Sequence, residues 1–364
     1  LTALFVKRMR LSEQIAAYKQ AHQIPVYDGA RERELLARVS AQAGDGIDVY
    51  ARTFFNTLFS LSRAYQHSRM GRRSELAQRI ETAAAETPQL FPEQAVVACQ
   101  GVEGAYSTQA CEKLFVAPQI MYCADFAGVF AAVESGLCRY GILPLENSTA
   151  GSVNRIYDLM TAHNFYIVRS TRLQVCHALL ANHGAKKEAI KTVYSHEQAI
   201  SQCSAFLAEL PGVEVKVCEN TAEAAKMVAE SGRTDVAAIS SARCAEIYGL
   251  AILDETIQNS GANRTRFICI SKKLEVYPGA NRTSFMMVLP NKPGALFHIL
   301  GRFYELGINL VKLESRPMPD RDFEFTFYFD IDASVYAPAL SQLLCELEGQ
   351  LEQFRYLGSY TELA

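Results

Sequence analysis

Asn263-Arg264-Thr265-Arg266-Phe267 leads straight into the apolar run Phe267–Ile270, a few residues ahead of the charged, Pro- and Gly-containing stretch Leu274–Asn281. Upstream, from Gln94 onward, short apolar runs alternate with helical patterns. Downstream lies a short module of different texture. The pentapeptide therefore marks a junction, and it reads as the strand that closes a cleft built by the preceding domain. Working outward from it gives three units: a helical module over 1–71 with a linker at 72–92, an α/β domain over 93–271 with a linker at 272–281, and an α+β module over 282–364.

The α/β reading rests on how strand patterns end. Val96–Gln100 runs into Gly101-x-x-Gly104-x-Tyr106-Ser107, and Tyr140–Pro144 into Leu145-Glu146-Asn147-Ser148-Thr149. Thr192–Ser195 is followed by His196, Val213–Cys218 by Glu219-Asn220-Thr221, and Asp235–Ile239 by Ser240-Ser241. Each leads into a helical pattern, the signature of a largely parallel sheet. Free N–H groups at helix starts favour anions, and loops at the carboxyl ends of parallel strands form the ligand crevice. Any one such Ser, Thr or Asn is also an ordinary N-cap. The set together points to a small anionic ligand. A nucleotide site is disfavoured, because the glycines run GxxG rather than GxGxxG and no P-loop lysine follows.

At 364 residues the chain suits two or three domains. A hydrophobic fraction of 49% with 21% charged residues is that of an ordinary globular protein. A net charge of −3 argues against nucleic-acid and membrane-surface partners. The first 93 residues carry a small excess of Lys and Arg, which suits an acidic ligand, although solvated helix faces look the same. Ten cysteines without CxxC or Cys/His ligand spacing suggest no disulfide framework and no metal site. No cofactor is expected, and a reducing, cytoplasmic setting is. The helical pattern is already under way at Leu1, which leads us to expect a further segment upstream.

In the helical module, Leu1, Leu4, Arg8, Leu11, Ile15 and Lys19 step by three or four along one face. Arg8 and Lys19 fall within roughly 20° of each other on that stripe. Buried cations need countercharges, from internal carboxylates or from an anionic ligand. After Pro25, Asp28 is placed to cap a second helix bearing Arg31 and Glu32. A third helix runs from about Ile47 to Met70, where Phe55, Phe59, Ser62 and Gln66 share a stripe. Arg72–Pro92 reads as a helical tail and linker. At the other end, strand (Thr283–Leu289), helix (Gly294–Leu306), strands (Asn309–Ser315, Phe323–Ile331), helix (Tyr336–Leu347) and strand (Phe354–Tyr360) give a ferredoxin-like βαββαβ order.

These positions resemble known families. Arg8, Lys19, Asp28, Arg31, Glu32, Ser62 and Gln66 match the order and spacing of the all-helical chorismate mutases. That resemblance implies Arg8, Arg31 and Ser62 on substrate carboxylates, Lys19 and Gln66 at the ether oxygen, and Asp28 and Glu32 at the ring hydroxyl and its neighbours. An arginine that the family carries near the start of its first helix would lie upstream of Leu1. The α/β domain resembles prephenate dehydratase through Gly101-x-x-Gly104-x-Tyr106-Ser107, Leu143-Pro-x-Glu146-Asn147-Ser148, Ser195-His196-x-Gln198-Ala-x-x-Gln202-Cys203 and Thr265-Arg266-Phe267. The first motif departs from the family pattern at Val102 and Ala105. The resemblance implies two lobes like those of a periplasmic binding protein, the second spanning about 169–250, with Thr265 at their junction.

By the same resemblance, Thr265 is the hydrogen-bond donor to the leaving hydroxyl. Asn147, Ser195 and Gln202 bind and orient substrate, Glu219 is an auxiliary acid, and Gly104, Tyr106, Ser107, Ser148 and Phe267 complete the site. Arg266 either pairs with a substrate carboxylate or locks its loop; His196 is either a general acid or structural. Gly294-Ala295-Leu296-Phe297 and Glu314-Ser315-Arg316-Pro317 resemble the phenylalanine site of ACT domains. The expected whole is a multidomain bifunctional enzyme, a homodimer or homotetramer, converting chorismate to prephenate and prephenate to phenylpyruvate under inhibition by L-phenylalanine. Three alternatives stand beside it: a non-catalytic amino-acid or solute sensor, a dehydratase with an inactive mutase, and one preferring arogenate.

Overall fold

Three helices open the chain, α1 (Thr2–Ala21), α2 (Gly29–Ala43) and α3 (Asp48–Arg69). Asp28 starts α2 by accepting the Arg31 N–H at 3.0 Å. The computed structural model describes residues 1–44, 46–70, 75–318, 324–350 and 353–363; the expected boundary at 71–72 and the expected strand start at Phe323 fall outside them. The leucine stripe of α1 is not its buried face: Leu1, Leu4 and Leu11 are 97%, 71% and 49% exposed, while Ser12 and Ala16 are buried. Small residues let α1 approach closely, and the Ser12 hydroxyl turns back to the Arg8 carbonyl at 3.1 Å. The α3 stripe is buried at Phe59, Ser62 and Gln66.

The segment expected as a linker forms α4 (Glu75–Glu86). Leu76 and Ile80, one turn apart, join the core of the C-terminal module, and Ala83 packs on Val276 and Ala280. Burying each of the two large side chains contributes about 1.5–3 kcal/mol, so α4 is a fixed part of the fold rather than a tether.

Lobe one follows: β1 (Val96–Gln100), α5 (Tyr106–Leu114), β2 (Gln119–Cys123), α6 (Phe126–Glu134), β3 (Tyr140–Asn147), β4 (Gly151–Ser152), α7 (Asn154–Ala162) and β5 (Tyr166–Gln174). Lobe two begins with β6 (Ala178–Ala181), β7 (Thr192–Ser195) and α8 (Glu197–Gln202). A break at Cys203 starts α9 (Ser204–Ala208). Then come β8 (Glu214–Val217), α10 (Thr221–Ser231), β9 (Val236–Ser240), α11 (Arg243–Tyr248) and β10 (Ala251–Asp254). The chain returns to lobe one as β11 (Arg264–Ser271). The lobe-two sheet has the order β10-β6-β9-β7-β8. The crossings therefore differ from the expected Val168 and Ala251: β10 pairs with β6 inside lobe two, and β5 stays beside β11 out to the pair Gln174–Arg264. The two crossing segments leave that pair side by side.

The C-terminal module consists of β12 (Arg282–Val288), α12 (Ala295–Glu305), β13 (Asn309–Pro317), β14 (Phe325–Asp332), α13 (Pro338–Gln350) and β15 (Phe354–Leu363). Its strands lie in the order β13-β14-β12-β15, and β15 then pairs in parallel with β5, so one ten-stranded sheet runs through both units. Side chains alternate across that sheet. Phe285, Phe329 and Ile331 pack on the helices of the module, whereas Met286, Tyr328 and Tyr360 share a core with Ile156, Tyr157 and Met160 of α7. The stretch 272–281, which composition marks as a linker, is also packed. Val276, Tyr277 and Ala280 are buried, and Glu275 accepts from Tyr140 at 2.7 Å, Tyr277 at 2.6 Å and Arg139 at 3.2 Å.

The join between β15 and β5 requires Gly358. Its φ is +141°, and a Cβ there would stand 2.2 Å from the carbonyl oxygen of Ile167. Backbone cannot yield as a side chain can, so Gly358→Ala is expected to cost about 1–3 kcal/mol, read as a lower urea-unfolding midpoint.

Candidate active site

Between the lobes is a cleft of about 330 Å³. Lobe one supplies Tyr106 and Ser107 from the start of α5, Asn147 from the end of β3, and Thr265 and Phe267 from β11; lobe two supplies His177, His196, Gln198, Gln202 and Glu219. The local fold explains the convergence. Thr265 lies opposite Asn147 in the ladder, and at the next step Arg266 faces Glu146 while Phe267 faces Pro144, leaving Leu145 as a bulge. A bulge beside a cleft raises the local twist and re-aims side chains.

Thr265 accepts a hydrogen bond from Asn147 Nδ2 at 2.9 Å. With a lone pair of its oxygen so occupied, its own hydrogen has no protein acceptor among the described residues and is available to the cleft. Asn147 is itself fixed. Its Nδ2 also donates to Asn263 Oδ1 at 2.7 Å, and its Oδ1 accepts from Thr149 N, Thr149 Oγ1 and Ala150 N at 3.1, 2.7 and 2.8 Å. Asn263 Nδ2 donates to Gln202 Oε1 at 2.8 Å, and Gln202 Nε2 to Thr149 Oγ1 at 3.2 Å. This amide chain ties the start of β11 in lobe one to α8 of lobe two beside the cleft.

His177 adds the last link, with Nε2 at 3.0 Å from Gln202 Oε1. An amide oxygen carries no hydrogen, so the imidazole proton sits on Nε2, and Nδ1 is buried without a hydrogen-bond partner among the described residues. Burial holds His177 below the usual histidine range, with the Gln202 bond opposing. His196 is likewise lowered by burial, opposed by Glu197, and its Nδ1 caps α8 by accepting from Gln198 N at 3.2 Å. Tyr106 donates to the Cys176 carbonyl at 2.5 Å, and burial pushes its phenol up. Among the described residues, no lysine or arginine lines the cleft.

Four residues named from the sequence lie outside that lining. Ser195 is fully buried with its hydroxyl committed to the Ile239 carbonyl at 2.7 Å. Ser148 staples its loop to the start of β11, accepting from Arg264 N at 2.9 Å and donating to the Ala262 carbonyl at 3.2 Å. Gly104 abuts the second lobe; a Cβ on it would meet Cys244 Sγ at 2.9 Å, and its φ is +86°. Arg266 is the largest correction. Strand alternation turns it away from the cleft into the interface with the C-terminal module, where it meets Asp330, Tyr360 and Glu362. Conversely, His177, Asn263 and Thr149 belong to the site. The last two stand within quoted motifs, but His177 has no sequence signal.

In the helical module, Lys19 donates to the Val26 carbonyl at 2.6 Å and lies beside Asp28 and Glu32; burial lowers its pKa and the two carboxylates oppose this. Glu32 pairs with Arg63, which no sequence argument singles out. Ser62 Oγ and Gln66 Oε1 are buried without a hydrogen-bond partner among the described residues. Arg31 is outside this group, exposed and paired with Glu34 at 2.7 Å. Arg8 has no carboxylate partner among the described residues.

In the C-terminal module, Gly294 caps α12 at φ +85°, Ala295 and Leu296 are half-buried, and Phe297 is 71% exposed. Glu314 and Arg316 face away from α12. Glu314 bonds Ser152, and Arg316 meets Asp158 at 2.8 and 3.0 Å, so both are held by lobe one. Ser315 and Pro317 occupy the alternate positions of β13.

Comparison with known proteins gives these sites a family. The prephenate dehydratase family model matches residues 97–275, chorismate mutase type II matches 1–67, and the ACT domain matches 283–344. An arogenate dehydratase/prephenate dehydratase of Arabidopsis thaliana is 40% identical over 276 residues, covering 72% of each chain. The bifunctional chorismate mutase/prephenate dehydratase of Escherichia coli K12 is 30% identical over 369 residues, covering 99% of this chain and 92% of its own. Among solved structures, the prephenate dehydratase of Arthrobacter aurescens in complex with L-Phe is 28% identical with a TM-score of 0.67, over 73% of this chain and 90% of that one. GqqA, described as a novel type of quorum quenching acylase, is 34% identical with a TM-score of 0.67, over 74% and 98%.

The chain is therefore an enzyme of the prephenate dehydratase family. More particularly, it belongs with the bifunctional chorismate mutase/prephenate dehydratases that carry a C-terminal ACT domain. This replaces the sensor reading.

Because burial depresses the folded-state pKa of His177 and His196, their contribution to stability is complete above the free-histidine value of 6.5 and is lost as the pH falls below it. Urea midpoints should fall from about pH 7.5 to about pH 5.5, and His177→Gln should flatten part of that fall.

Proposed function

We propose that the interlobe cleft converts prephenate to phenylpyruvate, with the Thr265 hydroxyl as the donor to the leaving oxygen. The supporting observation is the Asn147–Thr265 bond, which fixes the oxygen and frees its hydrogen. In the reaction the bond to the ring carboxylate breaks and carbon dioxide leaves. The electron pair moves into the ring, and the C–O bond to the hydroxyl breaks. The departing oxygen develops negative charge and takes up a proton, made good from solvent, to become water. A positioned donor aimed at it lowers that barrier. Asn147 and Gln202 act through the amide chain, Glu219 is the one carboxylate among the described residues that line the cleft, and His196 offers a neutral N–H. An acylase chemistry is less well supported, since no cleft hydroxyl is hydrogen-bonded to a histidine among the described residues.

L-arogenate is the second reading. It carries an ammonium where prephenate carries a keto group; Glu219 could pair with it, and the Arabidopsis relative is named for both substrates. Side-by-side assays with prephenate and L-arogenate decide between them.

The helical module isomerises chorismate in this reading. Lys19 and Gln66 act at the ether oxygen, Arg8 and Ser62 on carboxylates, and Asp28 and Glu32 on the ring hydroxyl side, while Arg31, exposed and paired with Glu34, has no role in it. Support comes from the Ser62 and Gln66 oxygens, buried on α3 without a protein partner among the described residues, and from Lys19 lying beside Asp28 and Glu32. L-phenylalanine binds the ACT module at Gly294–Phe297 and the Ser315/Pro317 face. A homodimer or homotetramer in the cytoplasm completes the proposal; the exposed leucines of α1 and the open edge strand β13 suit a second copy.

Thr265→Val should lower kcat for phenylpyruvate formation by about 10²–10³-fold, with the far-UV circular dichroism unchanged. Near-normal turnover would remove Thr265 from the chemistry.

A further inference from the structure

Arg266 follows Thr265 in the same strand and is 2% exposed. One strand therefore presents the proposed donor to the cleft and, one residue later, a cation to the ACT module. Arg266 Nη1 pairs with Asp330 of β14, and Nη2 donates to Tyr360 of β15 at 3.0 Å. Its Nε stands 2.6 Å from Glu362, an ion contact without hydrogen-bond alignment. Asp330 is fully buried and accepts further from Ser284 and from Tyr328 at 2.6 Å. Arg266 Nη1 also lies 3.4 Å from Glu146, the residue before Asn147, and Lys312 of β13 reaches the same carboxylate at 2.7 Å.

The strands that make these contacts have their other face on the ACT helices. On β14, Tyr328 and Asp330 face lobe one, while Phe329 and Ile331 lie in the core with α12 and α13. On β13, Lys312, Glu314 and Arg316 are held by Glu146, Ser152 and Asp158. Any shift of these strands driven from the helix side must move the anions around Arg266. A buried cation follows its anions, because losing them leaves it desolvated and unpaired. The displacement falls one residue from Thr265.

We propose that Arg266 is the positioning residue through which the ACT module sets Thr265, with Asp330 as its partner, so that phenylalanine inhibition passes through this buried ion pair. The inference rests on the reading of the ACT module as a phenylalanine sensor. Asp330 and Glu362 touch neither the cleft nor the Gly294 motif, so altering them tests transmission apart from catalysis and effector binding.

The test compares the full-length wild type with Asp330→Asn. Dehydratase rate is followed with and without saturating L-phenylalanine, and phenylalanine binding is measured by calorimetry. The expected result is that Asp330→Asn still binds phenylalanine but keeps at least about tenfold more activity under saturation than the wild type does. A second readout uses coupling, which is reciprocal. In a Thr265→Val background, prephenate weakens phenylalanine binding, and adding Asp330→Asn makes that affinity independent of prephenate. A merely structural loss moves neither readout in this pattern. If the wild type is inhibited and Asp330→Asn is inhibited equally, the inference is overturned while the sensor reading stands. If the wild type neither binds nor responds to phenylalanine, the sensor reading itself fails. Should Asp330→Asn not fold, Glu362→Gln carries the same test with the same outcomes.

Discussion

A β-strand has a period of two, and β11 applies it to a threonine and an arginine that sit side by side. Thr265 and Phe267 reach the cleft; Arg266 reaches the opposite face. A guanidinium that is 2% exposed is stable only with its anions in place, and breaking a buried pair costs about 3–5 kcal/mol. The anions come from β3, β14 and β15. The position of the donor strand and the position of the C-terminal module are thus a single constraint. The continuous sheet, the close approach at Gly358, the packed stretch 272–281 and the buried face of α4 all serve to keep that geometry fixed.

Much of the fold was legible because its signals are local. Strand ends rich in Gly, Ser and Asn announced the cleft, and the βαββαβ order announced the last module. The errors share a cause: local patterns do not report what lies opposite. Pro278 and Gly279 mark a flexible composition, yet Val276 and Ala280 beside them are buried. The α1 leucines have helical spacing, but spacing does not say whether the chain itself covers them. Alternation could place Arg266, Glu314 and Arg316 on one face of their strands, but not reveal that the face was occupied by another domain. His177 was invisible for a related reason. It belongs to no motif, and its ring nitrogen finds its hydrogen-bond partner in Gln202, from a distant helix.

The amide chain from Asn147 through Asn263 to Gln202 has a further property. All its members are neutral, and it spans the two lobes beside the paired crossing segments. Hydrogen bonds of this kind exchange with water at little net cost, each contributing about 0.5–1.5 kcal/mol. The two lobes are thus joined here by neutral contacts of small individual strength, whereas the contacts behind β11 are charged and buried.

The absence of lysine and arginine among the described residues that line the cleft bears on the energetics of decarboxylation. A reactant carboxylate that becomes carbon dioxide loses its charge on the way to the transition state. A guanidinium clamped on that group would hold the ground state more tightly than the transition state and would slow the step. Hydroxyls, amides and helix N–H groups, the kinds of group that line this cleft, would grip an anion more loosely and give up less when its charge disappears. With its cation placed behind the strand instead of in front of it, the cleft avoids anchoring the very charge that the reaction must release.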